Sequence, residues 1–253
     1  MNLELEDKVV LVSGGARGIG EAIVRAFVAE GARVMITDLD NAATLRTELG
    51  EAVRSHQGDL TEDRSCRDAV AACIDAWGRL DVLVNNAGVN DGKGLEATPE
   101  AFRESIERNL VHVFALAHHA LPHLSETRGN IVNITSKVAS TGQGGTSGYA
   151  ASKGGVNGLT REWAADLAPL GIRVNAIAPA EVWTPMYAVW IDSLEDGPAT
   201  RAEIEAMIPL GRRFTRSDEI AAMVVFLASA RSAHTTGQII YVDGGYTHLD
   251  RKL

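Results

Sequence analysis

Short apolar runs along the chain alternate with longer segments in which apolar positions recur every three or four residues. The runs stand at 8–12, 33–37, 52–57, 81–84, 129–136, 171–177 and 237–245. The first and fourth contain consecutive apolar residues, Val9–Val12 and Val82–Val84, as is typical of parallel strands buried on both faces. The segments between them, such as 21–30, 62–77 and 218–227, have the period of amphipathic helices. Seven strands alternating with helices predict one α/β domain over residues 1–253, with a doubly wound, seven-stranded parallel sheet.

One segment does not fit this alternation. Residues 180–209 read as a long loop, and loops of that length in a compact domain are usually functional or disordered. Aromatic and acidic side chains concentrate there, at Glu181, Trp183, Tyr187 and Trp190, although aromatic residues make up only 5% of the chain. We therefore interpret 180–209 as a substrate lid, whose aromatic faces suit a sugar or another small amphipathic ligand. The alternative is a hydrophobic lid without any preference for sugars.

The composition of the chain excludes some classes of binding partner and indicates its cellular compartment. The formal net charge is −9 and the isoelectric point about 5.3, which argues against nucleic acid or an anionic membrane as a partner. No segment approaches the ~20 apolar residues of a membrane span, and the acidic start does not resemble a secretory signal. Cys66 and Cys73 lie two turns apart on one predicted helix, too far for a disulfide, so a cytoplasmic protein with free thiols is expected.

A glycine turn follows the first predicted strand and opens the first helix. Its glycines are Gly14, Gly18 and Gly20, in the spacing GxxxGxG. Glycines let a backbone approach a pyrophosphate, and a helix N-terminus offers free N–H groups and a positive dipole end. Strand, glycine turn and helix in this order are typical of dinucleotide binding on a Rossmann fold.

Asp38 closes the second strand about twenty residues after the glycines. A carboxylate there accepts hydrogen bonds from the ribose hydroxyls of NAD and repels the 2′-phosphate of NADP, so NAD is the expected cofactor. Arg17 keeps NADP as the alternative, because a basic residue in the glycine turn can reach a 2′-phosphate. Asp38 has an alternative role too, as the cap of the helix expected near Asn41.

Candidate cofactor contacts also follow the third and the fourth predicted strands. Asp59 and Leu60 follow the third strand, and Asp59 is interpreted as an adenine contact, as a helix cap, or as both. After the fourth strand, Asn86, Ala87 and Gly88 combine an amide with small residues, as expected where a backbone passes close to the cofactor. A simple turn rich in asparagine and glycine is the alternative.

Tyr149 and Lys153 are the central candidates for catalysis. Four residues apart in a predicted helix, they lie on the same face. An ammonium near a phenol favours the phenolate, so Lys153 is expected to lower the pKa of Tyr149 and prepare it for proton transfer. Ser136, at the end of the fifth strand, is placed to point into the same site. The alternative is a tyrosine that merely packs, since this spacing also arises by chance.

Polar residues in the helical region 99–125 have less specific interpretations. Asn109 lies in an otherwise apolar segment, and is either the holder of a water near Lys153 or a core amide with satisfied hydrogen bonds. His119 and His123 stand four residues apart, but no third ligand has metal-site spacing, so no metal is expected.

Taken together and in order, the motifs at Ser13–Gly20, Asn85–Gly88, Ser136, Tyr149–Lys153 and Pro179 resemble those of the short-chain dehydrogenase/reductase family. The resemblance implies that Tyr149 is the general acid/base, that Lys153 lowers its pKa and binds the nicotinamide ribose, that Ser136 orients the substrate oxygen, and that Asn109 holds a relay water. It also implies cofactor contacts from Ile19, Pro179, Val182 and Thr184. Two positions depart from the family pattern, Ala180 in place of a glycine and Ser13 in place of a threonine.

Loop segments such as Pro179–Tyr187 and Val242–Arg251 resemble a sugar-oxidising subgroup, the bacterial L-fucose dehydrogenases. This implies oxidation of an aldose at C1 to the lactone, by a homotetramer whose C-terminal segment, 246–251, reaches a neighbouring site. Substrate contacts are then expected from Ser136 and Tyr149 and from Asn90, Lys137, Gln143, Glu181, Trp183, Tyr187 and Trp190. Two alternatives are an NADPH-dependent reductase of a 3-oxoacyl thioester or steroid, and a catalytically idle cofactor-binding protein.

Overall fold

The computed structural model describes residues 2–249, and a parallel sheet of seven strands lies at its centre. The sheet has the order β3-β2-β1-β4-β5-β6-β9. Its strands are β1 (Val9–Ser13), β2 (Arg33–Asp38), β3 (Val53–Gln57), β4 (Val82–Asn85), β5 (Asn130–Ile134), β6 (Arg173–Pro179) and β9 (Ile239–Val242). The predicted single α/β domain with a seven-stranded parallel sheet is confirmed.

Helices cover both faces of this sheet. They are α1 (Gly18–Ala29), α2 (Ala43–Leu49), α3 (Asp63–Trp77), α4 (Pro99–Ile106), α5 (His112–Thr127), α6 (Ser147–Leu167), α7 (Pro185–Asp192), α8 (Gly197–Met207) and α9 (Ser217–Ala228). Successive residues of β1 serve opposite faces, because side chains alternate along a strand. Val10 and Val12 pack with α1 and α9, whereas Val9 and Leu11 pack with α3 and α5.

The lid segment is more regular than expected. Residues 180–209 contain α7, α8 and the short strand β7 (Val182–Trp183), which pairs with β8 (Thr215–Arg216). The expectation of a long loop is therefore wrong. Thr184 caps α7 by accepting a hydrogen bond from the Tyr187 N–H at 3.2 Å, and Asp196 caps α8 by accepting from the Ala199 N–H at 3.0 Å. A proline follows each cap within the first two helical positions, where it costs no hydrogen bond.

The helical region expected at residues 99–125 is one nearly continuous helical segment. α4 passes into a π-helical turn, Glu107–Val111, and then into α5. A π-helical turn inserts an extra residue into the helix and is frequent at functional sites. Asn109 lies in this turn and is fully buried.

The strand order reverses between β1 and β4, which lie side by side although two strands separate them in sequence. In doubly wound sheets, a crevice for ligands opens at the carboxyl ends of the strands on either side of such a switch point. The residues that follow β1 and β4, from Gly14 and from Asn86 onward, therefore line the crevice. Within residues 2–249, no helix is both long and apolar enough to cross a membrane.

Candidate active site

The glycine turn after β1 leaves no room for a side chain at Gly14 or Gly20. A Cβ added to Gly20 would lie 2.0 Å from the Gly14 carbonyl oxygen, and one added to Gly14, whose φ is +64°, would lie 2.9 Å from the Ala87 Cα. The turn is thus closely packed against the loop after β4. Helix α1 begins at Gly18, with Ile19 in its first turn, and the side chain of its N-cap residue, Arg17, makes no capping hydrogen bond. This cradle fits a pyrophosphate bound by backbone N–H groups.

Asp38 is the last residue of β2, and its carboxylate is hydrogen-bonded to the glycine turn rather than capping a helix. Its Oδ2 accepts a hydrogen bond from the Ala16 N–H at 3.0 Å, and its Oδ1 accepts one from the Asp40 N–H at 3.2 Å. Helix α2 has Ala42 at its N-cap, so the alternative role predicted for Asp38 is wrong. The Arg17 guanidinium lies 3.9 Å from the Asp40 carboxylate, and both side chains are exposed.

Ser13, which the sequence analysis noted only as a departure from the family threonine, has a structural role in this site. Its buried hydroxyl accepts hydrogen bonds from the N–H groups of Asn86 at 3.0 Å and Ala87 at 3.1 Å. The Asn86 amide in turn donates to the carbonyl oxygens of Ser13 at 3.0 Å and Gly14 at 2.9 Å. These bonds join the end of β4 to the glycine turn. The position of Ser13 at the end of the first strand was the available signal.

Asp59 closes a local turn before α3. Its Oδ1 accepts hydrogen bonds from the backbone N–H and the hydroxyl of Thr61, at 2.9 and 2.8 Å. These bonds lower the pKa of the Asp59 carboxyl. Leu60 is half-buried beside it, and its carbonyl accepts from the thiol of Cys66 at 3.4 Å. Both cysteines are buried, free thiols, and burial raises the pKa of each to about 12.

Helix α6 and the end of β5 bring Tyr149, Lys153 and Ser136 together. The Lys153 ammonium lies 5.6 Å from the centre of the Tyr149 ring and donates to the Ile134 carbonyl at 2.9 Å. Ser136 follows β5 and forms a hydrogen bond with the Tyr149 hydroxyl. The phenol, the serine hydroxyl and the ammonium thus form one cluster at the carboxyl edge of the sheet.

Burial decides the protonation of this cluster. It raises the pKa of Tyr149 above its usual value, and the hydrogen bond to Ser136 offsets only part of the rise. Burial also lowers the pKa of Lys153 to about 8. The expected net lowering of the Tyr149 pKa is therefore wrong, because removing the phenol from water opposes its ionisation more than the hydrogen bond to Ser136 favours it.

Asn109 holds the loop after β4 against the α4–α5 helical segment. Its Oδ1 accepts from the Val89 N–H at 2.7 Å, and its Nδ2 donates to the Ser105 carbonyl at 3.0 Å. A Cβ added to Gly88 would lie 3.0 Å from Asn109 Oδ1 and 3.2 Å from Lys153 Nζ. Asn109 therefore lies close to Lys153, as the relay role requires, and its amide is also satisfied by backbone partners, as in the alternative.

Ser105 and Asp91 are further residues that the sequence reading missed. The buried Ser105 hydroxyl donates to Asp91 Oδ1 at 2.9 Å, and a Cβ added to Gly148 would lie 2.6 Å from that hydroxyl. Ser105 thus contacts the residue just before Tyr149 while its carbonyl holds Asn109. No signal in the sequence pointed to it, because the contacts join segments that are distant along the chain.

The lid begins where β6 ends at the buried Pro179. Val182 is also buried, in β7, and Thr184 lies against the glycine turn. A Cβ added to Gly18 would be 3.8 Å from the Thr184 side chain. The three proposed cofactor contacts of this segment therefore run from the sheet edge to the start of α1.

Lys137 and Glu181 form a largely buried ion pair at the carboxyl edge of the sheet. Lys137 directly follows Ser136, and Glu181 follows β6. The Tyr187 hydroxyl donates to the second Glu181 oxygen at 2.7 Å, and the Lys137 ammonium lies 4.1 Å from the centre of the Tyr246 ring. Burial, together with the bond to Glu181, raises the pKa of the Tyr187 phenol, so that it remains a hydrogen-bond donor.

The aromatic residues of the lid pack on one another. Tyr187 makes edge contacts with Trp190, at 5.2 Å between ring centres, and with Phe214, at 5.0 Å. Trp183 contacts the same Phe214 at 5.1 Å, and the Arg201 guanidinium lies 4.2 Å over its ring. Trp190 remains 46% exposed, which leaves part of its face available to a ligand.

The remaining predicted contacts lie outside this cluster. Asn90 is exposed, and its Oδ1 accepts from the Gly92 N–H at 3.4 Å. Gln143 is exposed on the loop before α6. Of the C-terminal segment 246–251, Asp250 and Arg251 lie outside the described residues. Over residues 2–249, no three His, Cys, Asp or Glu side chains are grouped to hold a metal ion.

Comparisons with known proteins agree on the enzyme class but not on one substrate. A family model described as enoyl-(acyl carrier protein) reductase matches residues 14–247. L-fucose dehydrogenase of Mus musculus is 42% identical over 242 residues, covering 94% of this chain and 88% of that protein. The 3-oxoacyl-(acyl-carrier-protein) reductase FabG of Thermotoga maritima is 38% identical over 250 residues, covering 96% of this chain and 99% of that protein.

A solved structure, that of Cj0485 dehydrogenase, has a TM-score of 0.97 and 38% identity, and the match covers 100% of this chain and 99% of that one. The family model and these relatives extend over nearly the whole chain and include both the glycine turn and the Tyr149 cluster. Such proteins are oxidoreductases that generally bind NAD(P) and act on small molecules. The chain belongs to the short-chain dehydrogenase/reductase family.

Proposed function

We propose that this enzyme oxidises the C1 hydroxyl of an aldose, with L-fucose as the first candidate, to the corresponding lactone. The observation that carries the proposal is the buried Lys137–Glu181–Tyr187 cluster directly beside Ser136. It offers an ammonium, a carboxylate and a phenol, which can hydrogen-bond several hydroxyls of one sugar ring. A site built on such bonds strongly rejects analogues that lack the hydroxyls. The identity to mouse L-fucose dehydrogenase supports this choice of sugar.

The proton is handled by this chain's own residues. Tyr149, as the phenolate, takes the proton of the C1 hydroxyl, while Ser136 holds the same oxygen in place. The carbon–hydrogen bond at C1 breaks, the oxygen forms a carbonyl, and the ring becomes the lactone. A bound nicotinamide dinucleotide supplies the acceptor for the hydride that leaves C1. Lys153 stabilises the phenolate by its positive charge and, in this proposal, also holds the nicotinamide ribose.

NAD is the proposed cofactor. The Asp38 carboxylate is fixed at the glycine turn by the Ala16 N–H, where it can accept hydrogen bonds from ribose hydroxyls and repel a 2′-phosphate. Arg17 is the residue that favours NADP, the alternative cofactor. Its guanidinium lies 3.9 Å from the Asp40 carboxylate, a second negative charge that also disfavours a 2′-phosphate. The remaining proposed contacts are those of the glycine turn, Asp59, Leu60, the Asn86–Gly88 loop and the start of the lid.

A homotetramer is also proposed. Its support is the family resemblance together with the exposed apolar side chains of Phe102, Val111 and Phe114, which are 38%, 40% and 53% exposed along the α4–α5 segment. Exposed apolar patches of this kind often mark protein interfaces. Light scattering on the purified protein measures the assembly directly.

The test is formation of reduced nicotinamide with a panel of aldoses, L-fucose first, with NAD and NADP in parallel. Turnover of L-fucose or a stereochemical relative with NAD supports the proposal. The second candidate is a ketone reductase, which the identity to the Thermotoga maritima 3-oxoacyl-(acyl-carrier-protein) reductase favours. Reduction of a 3-oxoacyl thioester with NADPH, and no turnover of any sugar, would replace the first proposal by the second.

A further inference from the structure

The Lys137–Glu181 ion pair lies in the proposed substrate site, directly beside Ser136. The two side chains are only 10% and 13% exposed, and they come from the ends of the neighbouring strands β5 and β6. Lys137 is covalently next to Ser136, the proposed anchor of the reacting oxygen. Burying two charges costs desolvation free energy that a surface pair avoids, so a buried pair is weak evidence for a role in stability. Its place beside the reacting groups indicates a role in recognition.

Each charge of this pair is held by more than its partner. The Tyr187 hydroxyl donates to Glu181 at 2.7 Å, which keeps one carboxylate oxygen facing the lid. The Lys137 ammonium contacts the face of the Tyr246 ring at 4.1 Å, the geometry of a cation–π interaction. The positive and the negative charge balance each other, and neither is available to an incoming ion without loss of an existing contact.

We propose that the Lys137–Glu181 pair restricts the substrate to uncharged polyhydroxy compounds and excludes analogues that carry a carboxylate or phosphate. A hydroxyl group can accept a hydrogen bond from the ammonium and donate one to the carboxylate, so a neutral sugar can bind without breaking the pair. An anionic ligand has to displace Glu181 from Lys137, and the Glu181 carboxylate also repels it. Glu181 thus competes with any anionic ligand for the Lys137 ammonium. This inference rests on the proposed function, because it defines which members of the substrate class are accepted.

The inference predicts what happens when the carboxylate is removed. In Glu181→Gln, the amide oxygen still accepts a hydrogen bond from Tyr187, but Lys137 loses its counter-charge. An unpaired, buried ammonium is a strong receptor for an anion. The variant should therefore gain affinity for anionic sugars while it loses affinity for neutral ones.

The experiment compares L-galactose with L-galacturonate, which share the ring stereochemistry of L-fucose and differ from each other only at C6, as inhibitors of L-fucose oxidation. In the wild-type enzyme, galactose should be the stronger inhibitor. In Glu181→Gln, the ratio of the two inhibition constants should shift toward galacturonate by about tenfold or more, as expected from a charge-assisted hydrogen bond. An unchanged ratio would overturn the inference.

Two further variants separate recognition from general effects. Lys137→Met combined with Glu181→Gln removes both charges and should show no gain for galacturonate. Glu205→Gln removes a carboxylate that pairs with Arg201 on α8 at 3.0 Å, and should leave the ratio at the wild-type value. Thermal unfolding shows whether each variant is folded. A variant that binds galacturonate more tightly than the wild-type enzyme must also be folded, because an unfolded chain has no such site.

Failure of the inference and failure of the proposed function give different results. If the wild-type enzyme oxidises neutral sugars but Glu181→Gln does not change the inhibitor ratio, the enzyme is a sugar dehydrogenase and the ion pair has no role in charge selection. If the wild-type enzyme oxidises no sugar at all, the proposed function itself is wrong, and the inference falls with it.

Discussion

Ionisable side chains are buried at both edges of the parallel sheet, but their surroundings differ. At the amino edge, Asp81 precedes β4, and its side chain is only 5% exposed. It accepts hydrogen bonds from Arg79 at 2.6 and 2.8 Å, from Lys8 at 3.2 Å and from the Val9 N–H at 3.0 Å. The pKa of this carboxyl is lowered, since these donors and charges together outweigh burial, which acts in the opposite direction.

At the carboxyl edge, burial outweighs the polar contacts. It raises the pKa of Tyr149 and lowers that of Lys153 to about 8. His112, one turn after Asn109, is 2% exposed, and burial, together with the charge of Lys153, lowers its pKa to about 4. The amino edge thus keeps a carboxylate charged at neutral pH, whereas the Tyr149 cluster at the carboxyl edge holds groups nearer to their neutral forms. The first arrangement stabilises the fold, and the second prepares proton transfer at a cost in stability.

The largest expected effect comes from removing one hydroxyl at the carboxyl edge. Tyr149→Phe should lower kcat by roughly a thousandfold, within the range of general acid–base catalysis, because no other group takes the proton of the substrate hydroxyl. The melting temperature should change little, since phenylalanine keeps the ring and its packing and the change removes one neutral hydrogen bond, to Ser136. Steady-state kinetics and thermal unfolding check the two parts separately.

The matched control is Tyr241→Phe, which removes a hydroxyl in the edge strand β9 that contacts Ser140 at 2.5 Å. This variant should retain most of the activity. Full activity in Tyr149→Phe would mean that the phenol only packs, as the alternative interpretation of the sequence holds, and the catalytic reading of the carboxyl edge would be lost.

The second-largest expected effect is on the pH dependence of the oxidation rate. Because burial raises the pKa of Tyr149, the phenol is protonated at neutral pH, and the phenolate fraction increases by about tenfold per pH unit below that pKa. Oxidation, which needs the phenolate, should therefore accelerate toward alkaline pH, and reduction, which needs the phenol, should not. Above about pH 8, Lys153 loses its proton and no longer favours the phenolate, so the rise should become shallower. An oxidation rate that falls between pH 6 and 8 would contradict this assignment.

At the amino edge, the expected effect is on stability. Asp81→Asn leaves the Lys8 and Arg79 charges without their common partner and should cost about 2 kcal/mol, as expected for bonds to a charged group, or about 4–8 °C in melting temperature. Activity at room temperature should be close to wild type, because the residue lies at the opposite edge from Tyr149.

The sign of the pH dependence follows from the lowered Asp81 pKa. The stabilisation is fully present above the pKa of the unfolded chain, about 4, and is lost as the pH falls through the folded value. Chemical denaturation at pH 7 and at pH 3 should thus show the difference between wild type and Asp81→Asn shrinking at acid pH. A difference that is equal at the two pH values would exclude the charge as its cause.

The sequence predicted the parts of this molecule that depend on local pattern. The seven apolar runs correspond to the seven strands of the sheet, and two of the glycines after the first run, Gly14 and Gly20, lie where a Cβ does not fit. Strand ends predicted which residues would meet, because the carboxyl ends of parallel strands share one edge. This is how Ser136 and Tyr149 could be placed in one site.

The parts that failed depend on contacts between distant segments or on desolvation. The lid was read as a loop because its aromatic residues have no clear period, although Thr184 before Pro185 was a readable helix start. The direction of the Tyr149 pKa shift was wrong, because spacing reveals a neighbouring charge but not how deeply the phenol is buried. Ser105 was missed, because its partner Asp91 lies 14 residues away along the chain.

The smallest expected effect tests whether the carboxyl edge is held in place by residues that do not touch the substrate. Ser105→Ala removes the hydrogen bond to Asp91 but keeps the backbone carbonyl that holds Asn109. It also removes the hydroxyl that packs against Gly148, the residue before Tyr149. A loss of one such bond, about 1 kcal/mol, should lower kcat/KM by roughly fivefold if the bond positions the phenol.

Two comparisons make this result specific. Ser125→Ala removes a hydroxyl that donates to the Leu121 carbonyl at 2.8 Å on the same helical segment, and should leave kcat/KM unchanged. Asp91→Asn keeps an oxygen that accepts from Ser105 and should retain most of the activity, since the bond rather than the charge does the positioning. If Asp91→Asn is as impaired as Ser105→Ala, the carboxylate charge matters instead, and the carboxyl edge then relies on a fixed charge in the same way as the amino edge.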